Sequence, residues 1–182
     1  NKNINYIKCD ITNHQSLKNV FNNSKYDVLI NAASKFDPSV HTNYTIKDLT
    51  DANILGHLNL ISQAISNGVG FFIYFSSISI YEGSKINTKG FLEDDNYIPS
   101  KLYASSKVYA EKLLQINCLN ETLKGMTLRL AGVHGIGRTN GVVYNMFKRA
   151  MQKESIIVSE PKSLFRLTFI DDLIIAIKVI LN

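Results

Sequence analysis

The sequence predicts an α/β fold built on a doubly wound parallel sheet, and three observations carry that prediction. Short β-branched runs alternate with longer stretches whose apolar residues recur at helical spacing, the pattern of strands linked by crossover helices. One run, Asp27–Ala32 (DVLINA), is almost continuously apolar, as expected of a strand covered on both faces. The chain has 182 residues, enough for one domain with a core.

The elements follow in order. Ile4–Cys9 reads as a strand and His14–Phe21 as a short helix, followed by the strand Asp27–Ala32. Leu49–Ile65 has apolar residues at helical spacing and ends at Asn67-Gly68, a C-terminal stop signal. Phe71–Phe75 is the next strand, inside the longest apolar stretch, Phe71–Tyr81, which serines interrupt. Beyond a polar loop, Lys101–Leu119 is helical, Met126–Ala131 is a strand, and Val142–Met151 and Asp171–Leu181 are helices. No internal repeat or low-complexity linker divides the chain.

Composition excludes several classes of function. A hydrophobic content of 45% with mean hydropathy near zero belongs to an ordinary globular protein. No apolar stretch approaches the ~20 residues of a membrane helix, so no membrane partner is expected. The first residues, Asn1 to Ile4, lack the layout of a signal peptide and an initiator Met, so the start of the protein is expected upstream. Cys9 and Cys118 stand far apart in apolar surroundings and read as reduced core thiols, which fits a cytoplasmic protein. Four scattered histidines offer no metal-ligand spacing, so no metal site is expected. The formal charge of +5 is spread evenly without interleaved aromatics, which argues against nucleic acid and reads as a solvated surface. It also favours an anionic ligand.

The strongest chemical signal is Tyr103-Ala104-Ser105-Ser106-Lys107 at a helix start. A four-residue separation puts Tyr103 and Lys107 on one face, within reach of a common ligand. A free phenol titrates near ~10, too high for a base at neutral pH. A neighbouring ammonium favours the phenolate, and a pair so tuned exchanges a proton with a substrate hydroxyl or carbonyl. By itself the pair is unspecific, because exposed Tyr and Lys one turn apart occur on many helices. Its context is specific. Phe72-Ile73-Tyr74-Phe75-Ser76-Ser77 is a strand ending in two hydroxyls, and ligands of open parallel sheets bind outside the carboxyl ends of the strands. Ser77, four residues before Tyr81, is the residue chosen to orient a reacting oxygen. The competing reading is that these serines only satisfy loop backbone groups, and it keeps some weight for Ser76.

These runs, FFIYFSSISIYEG and LEDDNYIPSKLYASSKVYAEKLL, resemble the extended short-chain dehydrogenases of the NAD-dependent epimerase/dehydratase type, whose fold is Rossmann-like. The resemblance covers nearly the whole chain. Cys9-Asp10-Ile11-Thr12 is similar to the family's third-strand end, where the acidic residue contacts adenine. Asn31-Ala32-Ala33, with Lys35 beyond, resembles the segment that lies against the cofactor, and Asn53-Ile54-Leu55-Gly56 the helix with an asparagine near it. Leu128 to Gly135, including Leu130, resembles the strand and loop framing nicotinamide and substrate, and Phe169 to Leu173 a late helix-opening motif. Each has a plainer reading: Asp10 as a turn residue, Asn53 as a structural hydrogen-bonder, Asp171 and Asp172 as helix cap and first-turn charge. His134, where relatives carry tyrosine, reads as structural.

The resemblance implies NAD or NADP as cofactor, a nucleotide-sugar substrate and a homodimer. It assigns Tyr103 as acid/base, Lys107 as the residue that lowers its pKa and holds the nicotinamide ribose, and Ser77 as the oxygen-orienting group. Cofactor contacts fall to Asp10, Ile11, Ala32, Ala33, Lys35, Asn53, Tyr103, Lys107 and Leu130. Residues 1–182 then form one partial dinucleotide-binding domain, with 155–182 leading toward a substrate lobe. The sequence departs from the family pattern in lacking the glycine-rich pyrophosphate turn, so the isolated chain is expected to be inactive. Gly132 replaces an asparagine used near the sugar. Ser77-Ile78-Ser79 lacks the acidic residues of dehydratases, which favours epimerisation or reduction over dehydration. The alternatives are a reductase of small carbonyl compounds and a non-catalytic dinucleotide-binding scaffold.

Overall fold

The computed structural model describes residues 4–22, 24–36, 44–84, 90–158 and 165–182. It divides into two units, Asn1–Arg129 and Leu130–Asn182.

In the first unit, helix α1 (His14–Asn22) begins where the Asn13 side chain accepts the Ser16 N–H at 2.9 Å, and it buries Leu17 and Phe21, four residues apart. Strand β1 (Val28–Asn31) pairs in parallel with β2 (Phe71–Ser77), in the register Val28 to Phe71 through Asn31 to Tyr74. Strand β3 (Gly125–Leu130) flanks β2 on the other side, giving the order β1-β2-β3. Phe72, Ile73 and Tyr74 of the central strand are at most 1% exposed, so β2 is covered on both faces, as its unbroken apolar run requires. A glycine opens β3 because a Cβ at Gly125 would stand 2.7 Å from the Phe72 carbonyl oxygen.

A helical rod follows β1 in three segments: α2 (Ile46–Thr50), a π-helical turn (Asp51–Leu55) and α3 (Gly56–Ser66). Thr45 and Asp48 form a capping box at its start. The rod ends as the sequence predicts, with Gly68 at φ 66° and the Val69 N–H donating to the Ala64 carbonyl at 2.9 Å. A 3₁₀ turn (Ile78–Tyr81) continues β2, and α4 (Leu102–Leu119) precedes β3. The core joins Leu17 and Phe21 of α1, Leu60, Ile61 and Ala64 of α3, Phe72 and Tyr74 of β2, and Ala110 and Leu114 of α4.

Ile4–Cys9 does not form the expected strand. Ile4, Tyr6 and Ile7 are 53, 91 and 60% exposed, and the segment pairs with nothing in the sheet. Strand propensity is realised only through a ladder partner. Among the described residues none lies alongside it, and β1 keeps an outer edge without a partner strand. Ile4–Cys9 therefore makes no direct ladder with β1.

In the second unit, β4 (Gly132–His134) pairs in parallel with β5 (Leu167–Phe169), accompanied by α5 (Val142–Met151) and α6 (Ile170–Leu181). Both strands are three residues long, too short for a periodic signal, and the sequence reading missed them. Asp171 and Asp172 sit in the first turn of α6, but neither caps it: the cap position is Phe169, whose side chain makes no capping bond. Among the described residues no helix is long and apolar enough to cross a membrane.

Candidate active site

The first turns of α4 carry Tyr103 and Lys107 on one face, beside the carboxyl ends of β1 and β2. Lys107 is 3% exposed. Its ammonium donates to the Phe75 carbonyl at 2.8 Å and lies 4.8 Å from the Tyr74 ring centre and 5.5 Å from that of Tyr103. Burial lowers its pKa to about 8, while Glu111, one turn further along α4, acts to raise it. At neutral pH the group is thus an ammonium, with one of its three N–H bonds committed to Phe75.

Tyr103 stacks on Phe36, ring centres 4.6 Å apart and planes 15° from parallel. Burial raises its pKa, and the Ser34 and Ser77 hydroxyls act in the opposite direction. The expected lowering by Lys107 is not found. The ammonium sits over the phenol ring rather than at its oxygen and is directed to the Phe75 carbonyl. The phenol is therefore protonated at neutral pH and poised to donate.

The two strand-end serines separate by alternation along β2. Ser76 is 4% exposed, and its hydroxyl is buried with no hydrogen-bond partner among the described residues. Ser77 is half-buried and caps the 3₁₀ turn, its oxygen accepting the Ser79 N–H at 3.2 Å, which leaves its own O–H free to donate. Ser77, not Ser76, is the hydroxyl that acts on Tyr103.

The loop after β1 is fixed by buried polar groups of the helical rod. Asn53, 2% exposed, projects from the π-helical turn, where one inserted residue re-aims the side chains. Its amide oxygen accepts the Lys35 N–H at 2.7 Å and the Ser34 hydroxyl at 3.2 Å. Its amide nitrogen donates to the Lys35 carbonyl at 2.9 Å and to Ser106 Oγ at 3.0 Å. Ser106 Oγ in turn donates to the Tyr103 carbonyl at 2.7 Å. A second bridge runs through His57, 1% exposed, whose Nε2 lies 3.1 Å from the Ala110 carbonyl and Nδ1 2.9 Å from the Asn31 amide nitrogen. A carbonyl only accepts, so Nε2 carries the proton and Nδ1 accepts from Asn31. Burial pushes the His57 pKa down to about 4, with the Lys107 charge adding in the same direction. Asn31 completes the bridge by accepting the Ala33 N–H at 3.0 Å.

The remaining predicted residues are distributed around this centre. Ala32 and Ala33 are exposed just beyond β1. Lys35 pairs with Asp48 at 3.2 Å. Asp10 is exposed and folds back on Thr12, accepting its N–H at 2.9 Å and its hydroxyl at 2.8 Å, an Asx turn that lowers its pKa. The Ile11 side chain packs against Gly56, where an added Cβ would lie 2.6 Å from it. Leu130 ends β3. Tyr103, Lys107, Ser77, Asn53 and Lys35 converge, whereas Asp10 and Ile11 belong to the segment before α1.

Sequence reasoning missed Ser34, Phe36, His57 and the Glu111–Arg129 pair. Arg129 donates to both Glu111 carboxylate oxygens, at 2.9 to 3.2 Å, to Tyr81 Oη at 2.6 Å and to the Glu93 carbonyl at 2.7 Å. It ties α4 to β3 and to the loop beyond Tyr81. The only available signal was a charged residue in an otherwise apolar strand, which implies a buried partner.

Comparison with known proteins agrees with this fold. Protein CapI of Staphylococcus aureus is 26% identical over 97% of the chain and 53% of its own length. A UDP-glucose 4-epimerase of Thermotoga maritima, solved with UDP-glucose, superposes with a TM-score of 0.85 at 22% identity, over 97% of this chain and 58% of that one. A UDP-glucuronic acid 4-epimerase of Bacillus cereus, solved with UDP-glucuronic acid and NAD, superposes at 0.83 with 24% identity, over 100% and 57%. The chain thus spans about half the length of CapI, its full-coverage curated relative. The sequence model of the NAD dependent epimerase/dehydratase family matches residues 1–182, and the chain belongs to that family.

Proposed function

We propose that this chain carries the reaction centre of an NAD(P)-dependent nucleotide-sugar epimerase, with reduction of a keto-sugar as the nearest alternative outcome. The observation that carries this reading is the Tyr103 phenol, flanked by the Ser77 and Ser34 hydroxyls, with the Lys107 ammonium one helical turn behind it. A nicotinamide cofactor, when bound, supplies the hydride acceptor and donor.

The chain's own groups supply geometry and proton handling. In the epimerase direction the phenolate form of Tyr103 takes the proton from a sugar hydroxyl as its carbon is oxidised, and the phenol so formed returns the proton to the keto oxygen when the carbon is reduced again. Ser77 donates to the same oxygen. Lys107 has N–H bonds to spare for a ribose hydroxyl. The donor set fits the nicotinamide-ribose end of the cofactor. Asn53 holds the Lys35 backbone and the Ser34 hydroxyl, which, with Ala32 and Ala33, would face it; the family resemblance assigns Leu130 to the nicotinamide and Asp10 and Ile11 to the adenine end. Neighbours solved with UDP-glucose, and with UDP-glucuronic acid plus NAD, support a nucleotide-sugar substrate. A cytoplasmic location accords with two free thiols, Cys9 and Cys118.

A homodimer belongs to the same reading. Leu102, Tyr109 and Ile116 of α4 recur every seventh residue and are 47, 49 and 55% exposed, beside Leu58 and Ile65 of α3 at 42 and 37%. The His57–Ala110 bond makes α3 and α4 neighbours. Two adjacent apolar stripes form a self-complementary surface for a second copy.

The test of the reaction type is cofactor stoichiometry in the longer protein that contains this chain. An epimerase returns the hydride to its substrate and shows no net change at 340 nm while the sugar inverts. Consumption of one NAD(P)H per product would replace epimerase by reductase.

A further inference from the structure

The loop after β1 and the start of α4 are joined through a buried pair, Asn53 and Ser106. Asn53 holds Lys35 by both backbone groups and donates to Ser106 Oγ, which donates to the Tyr103 carbonyl. The residue preceding Phe36 and the backbone of Tyr103 are thus referenced to the same side chain. The two rings meet 4.6 Å apart and 15° from parallel. Parallel, close-stacked rings are held by area burial and quadrupole offset together.

We propose that Phe36 is a positioning residue for the reaction: its ring lies flat on the Tyr103 phenol, fixes the plane of the hydroxyl and keeps bulk water from that face. Ser34, Ser77 and the bound substrate are then the groups that reach the phenolic oxygen. This rests on Tyr103 being the acid/base of the proposed function. Phe36 itself is 52% exposed.

Part of the burial that holds the Tyr103 phenol in its protonated form comes from this ring. Removing it exposes the phenol and eases its ionisation. The test uses tetranitromethane, which nitrates phenolates, on the 182-residue chain, with each tyrosine mapped by mass spectrometry from pH 7 to 9. Tyr6, 91% exposed, is the fast reference, and Tyr74, 1% exposed, reports an intact core. Phe36→Ala is expected to raise Tyr103 nitration at pH 8 by about 3- to 10-fold, because a more exposed phenol ionises more readily. The whole rate–pH curve moves to lower pH with it, while Tyr6 and Tyr74 are unchanged. Phe36→Leu, which keeps aliphatic cover without a ring face, falls between the two. A Tyr103 rate and pH curve equal to the wild type's in Phe36→Ala would overturn the proposal. Should Tyr74 also react in that variant, Phe36→Leu decides: a gain at Tyr103 alone supports the proposal, and no gain refutes it. Failure here is distinct from failure of the functional reading, since full turnover of Tyr103→Phe in the longer enzyme removes the latter whatever nitration reports.

Discussion

Acidification from pH 7 to pH 4 is expected to remove about 3 kcal/mol of stability through one side chain, His57. The imidazole is 1% exposed, and both its nitrogens are committed, Nδ1 to the Asn31 amide and Nε2 to the Ala110 carbonyl. Protonating it would bury a charge in the core, the larger cost, with the Lys107 ammonium nearby adding to it. Its pKa therefore falls from 6.5 to about 4. In this window the unfolded chain binds a proton that the folded chain refuses, so stability is complete above 6.5 and declines as pH falls toward 4. Two and a half units at about 1.36 kcal/mol each give about 3 kcal/mol, a large share of a typical domain's 5–15. The carboxylates act lower. Asp48, held to about 2 by Thr45 and then Lys35, loses its contribution only below its ordinary 3.8. The windows do not overlap. Urea unfolding followed by circular dichroism at pH 7, 6, 5 and 4.5 measures the slope, and His57→Gln, neutral throughout, should lack it. Equal pH slopes for the two proteins between 6.5 and 4.5 would refute the reasoning.

Two further outcomes follow from packing. Arg129→Ala leaves the Glu111 side chain, 7% exposed, without its bidentate partner and should cost about 3–5 kcal/mol in urea unfolding; a loss under 1 kcal/mol would mean that α4 is not held to β3 by this pair. Tyr109→Lys places a charge in the centre of the α4 stripe and should convert a sedimenting dimer to monomer, whereas an unchanged sedimentation coefficient would remove the stripe from the interface.

What the sequence revealed and what it concealed differ by the range of the interactions involved. Tyr103 and Lys107 were legible because a four-residue spacing on a helix fixes their relation locally. The Asn67-Gly68 stop was legible because only glycine takes the φ of 66° found there without strain. Ser77 was preferred to Ser76 on spacing alone, and strand alternation is what buries one and frees the other. The Phe36–Tyr103 stack joins residues 67 positions apart with no periodic signature. His57 looked like one polar residue in an amphipathic helix, since its partners come from β1 and α4. The π-helical turn that aims Asn53 arises from one inserted residue and has no compositional signal. Ile4–Cys9 failed in the opposite sense: its composition favours a strand, but a strand exists only in a ladder, and that partner is a property of the fold. The expectation that Lys107 acidifies Tyr103 counted a charge and omitted direction and burial, both of which only coordinates supply.

The central claim, that the Tyr103 hydroxyl moves the proton at the reacting oxygen, is tested most directly by Tyr103→Phe in the longer enzyme. Removing one hydroxyl from a stacked ring leaves packing and substrate affinity nearly intact, so KM should change little. Turnover should fall by roughly 10²- to 10⁴-fold, the contribution of a positioned general acid/base. Turnover within a few-fold of wild type would contradict the account.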